Sequence, residues 1–97
     1  MKKFTPDEVA VLYIGLTFVW DRATKRQFEI SELPEAAEIM KKLKAVTETD
    51  ASGNLIFSDS ELEFTSAQNV LLTKLVGENR WEASNAEIVL STLEKIK

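Results

Sequence analysis

These 97 residues are expected to form a mainly α-helical, four-helix domain with a short β-hairpin or turn inserted between helices two and three, and three observations carry that expectation. N-terminal capping signatures recur along the chain. The segments behind them place apolar residues at steps of three and four. Turn chemistry is concentrated in one stretch, Thr49 to Asn54. A chain of this length is expected to make one domain, residues 1–97, and to remove only about 60 to 65% of its unfolded surface from water, so association would add stability.

The first helix is expected from Pro6 to about Gln27. Thr5 stands at the N-cap with Glu8 three residues on, and Phe4 and Val9 form a hydrophobic staple around the box. From Val9 to Trp20 there is no charge, and Thr17 is the one clearly polar side chain. Val9, Leu12, Leu16, Val19 and Ala23 make one stripe, and Val11, Ile14 and Phe18 make a second. A helix that is apolar nearly all round has to be enclosed by other helices or by a second molecule. The β-branched and aromatic content of Val9 to Trp20 leaves a strand as the alternative, and the capping box favours the helix. The second stripe, Val11, Ile14 and Phe18, together with Trp20 beside Asp21 and Arg22, is the candidate interface. An amphipathic ring next to an arginine suits an interface rim.

The second helix is expected from Glu32 to about Thr47. Ser31 opens a weaker box, and Pro34 is tolerable in a first turn. Leu33, Ala36, Ala37, Met40 and Leu43 form its core stripe, with Glu35, Glu38, Lys41 and Lys42 opposite. A tight turn at Ser52-Gly53-Asn54 is expected to join strands Val46 to Thr49 and Leu55 to Phe57, packed on helices because a lone hairpin is marginal. The third helix, Ser66 to Val76, follows a Thr65–Gln68 box and ends at Gly77. Trp81 covers the end of the helical hairpin that follows, and Ser84 opens a box for the fourth helix, Asn85 to about Ile96. The similar openings at Phe4 and Phe64 are ascribed to shared capping physics rather than duplication.

The residues available for chemistry are few. Histidine and cysteine are both absent, which removes the usual neutral-pH base, imidazole and thiolate metal ligands, and the Ser-His and Cys-His nucleophile pairs. No catalytic residue, cofactor or metal site is therefore expected. The carboxylate pairs Glu35/Glu38 and Glu61/Glu63 have no evident cleft. Acidic residues in first turns and basic residues in last turns complement helix dipoles. Three scattered glycines make no phosphate loop.

Two alternatives have some support. Asp50, Ser52, Asn54, the Ile56 carbonyl, Ser58 and Glu61 resemble an EF-hand loop, in which oxygen ligands occupy positions 1, 3, 5, 7, 9 and 12. The pattern departs at Leu55, where that loop requires glycine for its sharp turn, so a plain turn is the better expectation. The basic clusters Arg22 to Arg26 and Lys41 to Lys44 would support a small helical DNA-binding regulator if they converged. A net charge of −4 and the lack of a helix-turn-helix spacing oppose it. The apolar run is too short to cross a bilayer, and the missing cysteines suit a reducing cytoplasm. The expected role is non-catalytic protein binding, through a homodimer or a protein partner, as in small regulatory or structural accessory proteins of bacteria or their phages.

Overall fold

A computed structural model describes residues 2–19 and 24–97. In chain order these form β1 (Lys2–Phe4), α1 (Pro6–Thr17), β2 (Phe18–Val19), β3 (Thr24–Lys25), α2 (Leu33–Ala45), β4 (Thr47–Thr49), β5 (Leu55–Phe57), β6 (Ser60–Leu62), α3 (Ser66–Glu78), a 3₁₀ turn (Ala83–Asn85) and α4 (Ala86–Ile96). The protein is mainly helical, with four α-helices among the described residues and antiparallel strand pairs β1–β6, β2–β3 and β4–β5. The β4–β5 hairpin lies between α2 and α3 where turn chemistry places it, with Gly53 at φ 86°. The same connection also holds β6, which leaves the hairpin and pairs with β1: Lys2 faces Leu62 and Phe4 faces Ser60.

The first helix stops at Thr17, well short of Gln27. Phe18 and Val19 are extended, and Phe18 pairs with Lys25. The helix can end there because distant groups satisfy its last carbonyls. The Arg26 amide donates to the Thr17 carbonyl at 2.9 Å, and the Arg26 side chain donates to the carbonyls of Gly15 and Phe18. Trp20, Asp21, Arg22 and Ala23 lie outside the described residues.

Both threonine capping boxes form. Glu8 and Gln68 each return a side-chain oxygen to the N-cap amide, at 2.8 and 3.0 Å. The two serine boxes do not form. Glu32 and Asn85 occupy the N-cap positions of α2 and α4 without a side-chain cap bond. Nor does Gly77 end α3, which continues through Glu78. Its Val76 carbonyl accepts from the Trp81 indole at 3.0 Å, so Trp81 covers this helix end as the sequence suggests.

Helix α1 is central. Val9, Leu12 and Leu16 enter the main core with Ile39, Leu43, Leu72 and Leu75, while Val11 joins a second cluster with Val76 and Val89. The first stripe thus meets the main core through Val9, Leu12 and Leu16, whereas of the second stripe Val11 is buried and Ile14 and Phe18 are exposed. Burying a residue such as Leu12 contributes about 2 kcal/mol relative to leaving it exposed.

The two halves of the chain repeat one another about an approximate two-fold axis. The Phe4 and Phe64 rings touch edge-on at 6.3 Å where α1 and α3 begin, and Arg26 bridges the Gly15 and Leu75 carbonyls where they end. The helices therefore run side by side in the same direction. A lysine from the helix of the other half completes each capping box. Lys95 of α4 donates to the Lys3 carbonyl and to Glu8 and lies over Phe4; Lys42 of α2 donates to the Glu63 carbonyl and to Gln68 and lies over Phe64. Burial follows the same correspondence: Leu12 with Leu72, Ala36 with Val89, Ile39 with Thr92, Leu43 with Ile96. The likeness of the two openings is more than shared capping physics, because it extends to partners and packing far from either cap.

Candidate functional site

Arg26 sets the geometry at the ends of α1 and α3. Its side chain is only 9% exposed. Nε donates to the Gly15 carbonyl at 3.0 Å, Nη2 reaches the Phe18 and Leu75 carbonyls and the Asn79 amide oxygen, and Nη1 lies 3.6 Å from Glu78. The Asn79 amide nitrogen donates to the same Phe18 carbonyl at 3.0 Å. A guanidinium at two helix C-termini offsets the partial negative charge of both. The chain after α1 is fastened there, and it forms one wall of a groove.

That groove lies between α1 and α2 and has a volume of about 590 Å³. Leu16, Ala36 and Met40 form its floor, and Tyr13, Phe18, Phe28 and Leu33 its walls. Lys25 and Lys44 stand exposed at its rim. Among the described residues neither ammonium forms an ion pair, whereas Lys74 pairs with Glu32 and Lys95 with Glu8. A second opening, of about 540 Å³, sits where Val46 meets Phe64. The lysine there, Lys42, is committed to Gln68 and the Glu63 carbonyl.

The described candidate interface residues, Val11, Ile14 and Phe18, differ in burial and surroundings. Val11 is 5% exposed, beneath Val76 and Val89. Ile14, 40% exposed, borders a small cleft with Trp81 and Ile88. Phe18 lies past the end of the helix and faces the α1–α2 groove, and Trp20 lies outside the described residues. The groove uses Leu33, Ala37 and Met40, which the periodicity places in a core stripe, and Phe28, which no sequence pattern marks. The signal was the pair Ala36-Ala37, two small side chains in the middle of an apolar stripe, which leave a depression where larger residues would fill it.

The twelve positions resembling an EF-hand loop are divided between two sheets. The Asp50 carboxylate closes the β4–β5 turn, accepting from the Ser52 and Asn54 amides at 2.9 Å, and Glu61 lies in β6 opposite Lys3. The Asn54 amide, the largest influence, holds Asp50 below its ordinary value against desolvation, with Ser52 and Gly53 assisting. No cluster of three or more acidic side chains suited to a metal occurs among the described residues. Of the two basic clusters, Arg22 lies outside the described residues, the Arg26 side chain is 9% exposed, Lys42 is engaged, and Lys25 and Lys44 border the same groove. No helix among the described residues is long and apolar enough to cross a membrane. Comparison with protein-family models, with curated proteins and with solved structures finds no match to this chain.

Proposed function

We propose that the chain is a non-catalytic protein-binding module, a regulatory or structural accessory protein, that docks a protein segment in the groove between α1 and α2. The observation that supports this reading is an apolar, aromatic-walled depression edged by two lysines that make no ion pair among the described residues. Apolar floors with a polar rim are the usual anatomy of a docking surface. The lack of histidine and cysteine favours association over catalysis, and the lack of cysteine suits a reducing cytoplasm.

Ala37 lines the groove and is exposed, so Ala37→Trp fills the depression without entering the core. Sedimentation across concentration and capture with wild-type and variant chains as matched baits test the reading. The expected result is association with wild type that the variant loses, at unchanged helicity and Tm. Equal association by both chains would overturn the groove as the docking surface.

A further inference from the structure

We infer that the occupant of the α1–α2 groove is the outer face of α4 from a second copy of this chain, which gives head-to-tail self-association. This rests on the docking reading above and adds the identity of the partner. Along α4, Glu87, Leu90 and Glu94 are all exposed, and Leu90 is 64% exposed, one of the most exposed large apolar side chains among the described residues. Their spacing of three and then four residues puts them on one face, an apolar anchor between two carboxylates. This is the pattern by which an amphipathic helix enters an apolar groove. The groove supplies the complement: an apolar floor for Leu90, with Lys25 and Lys44 for the two carboxylates. On a chain of net charge −4, a lysine-edged depression and an acidic helix face are matched in sign as well as in hydrophobicity.

The approximate two-fold axis fixes the mode of assembly. Leu90 occupies in the second half the place that Ala37, a groove residue, occupies in the first, since the buried pairs Ala36/Val89 and Ile39/Thr92 set that correspondence. Groove and acidic face therefore belong to corresponding but separate places, α2 in the first half and α4 in the second. The groove lining holds no residue of α4, so each copy offers one donor face and one acceptor groove, the arrangement of a heterologous interface.

Reciprocal charge reversal tests this with chains of residues 1–97. One variant carries Lys25→Glu and Lys44→Glu, the other Glu87→Lys and Glu94→Lys; all four sites are exposed, and circular dichroism checks the fold. In sedimentation velocity from micromolar to millimolar chain at low salt, wild type is expected to grow in mass with concentration. Each variant alone brings like charges together and is expected to associate at least about tenfold more weakly. Their equimolar mixture restores opposite charges at every contact and should return to within about threefold of wild type. A monomeric wild type over the whole range, or variants that associate like wild type, would overturn the inference. Association lost in Ala37→Trp but indifferent to both reversals would overturn α4 as the occupant while leaving groove docking in place. Association indifferent to Ala37→Trp as well would overturn both.

Discussion

Glu8 shows how much one side chain can organise. As the third helical residue of α1 it caps the helix; as a buried carboxylate it accepts from Lys95 at 2.6 Å and from the Ser91 hydroxyl at 2.7 Å, which joins α4 to α1. Burial pushes its carboxyl up, but the Lys95 ammonium, the Thr5 amide and the Ser91 hydroxyl together hold it below the ordinary value of 4.5. A carboxyl that is more acidic folded than unfolded stabilises fully above its unfolded value, and that contribution fades as pH falls through the folded one. Tm measured from pH 7 downward should therefore drop more steeply below about pH 4.5 in wild type than in Glu8→Gln, the two curves converging in acid. The corresponding residue in α3, Gln68, carries no charge, so the two lysines should differ. Lys95→Met leaves a buried carboxylate without its cation and should cost about 2 kcal/mol, discounted for the partial exposure of the lysine. Lys42→Met removes hydrogen bonds to neutral acceptors and should cost about 1 kcal/mol. Urea unfolding of both variants measures the difference; equal losses would remove the distinction between the two caps.

For the elements, legibility depends on how far apart the deciding residues lie. The starts of α1 and α3 could be read from sequence because a threonine box is complete within four residues, and the β4–β5 hairpin because Asp50, Gly53 and Asn54 form its turn locally. The end of α1 could not, because the groups that receive its last carbonyls are Arg26 and, at Phe18, the distant Asn79. The β1–β6 pair was equally hidden: three-residue strands carry no periodicity of their own, and their partners are far apart in sequence. The groove was half legible. Phe18 belongs to the expected interface stripe, whereas the spacing of Leu33, Ala36, Ala37 and Met40 predicts a covered core stripe. Close packing of α1 on α3 turns on Gly15, where an added methyl would meet the Val76 side chain at 2.8 Å. Gly15→Ala should destabilise by about 1–3 kcal/mol through overpacking, despite the better helix propensity of alanine. Combining it with Val76→Ala should recover part of that loss in a double-mutant cycle. Additive losses would show that the approach is not tight.

At the level of the whole molecule, the approximate two-fold axis explains why an almost wholly apolar helix folds within a short chain. Helix α1 is matched by α3, and each is flanked by α2 and α4, so most of its sides meet the other half of the same chain. Val11 of the second stripe is buried, Ile14 and Phe18 stay exposed, and there is further exposed apolar surface. It lies where the halves differ: the first half has Ala37 and an open groove, and the second has Leu90 standing out from α4.

The crossing of Lys2 and Lys95, each donating to a backbone carbonyl beside the other strand or helix end, has a further consequence. Residues from the two extremities of the sequence are neighbours, so the order in which the segments are threaded is not what the packing reads. A circular permutant that bridges residue 97 to residue 2 with a few glycines and serines, and opens at the exposed Ser52-Gly53 tip, should regain the same helices with a modest loss in Tm.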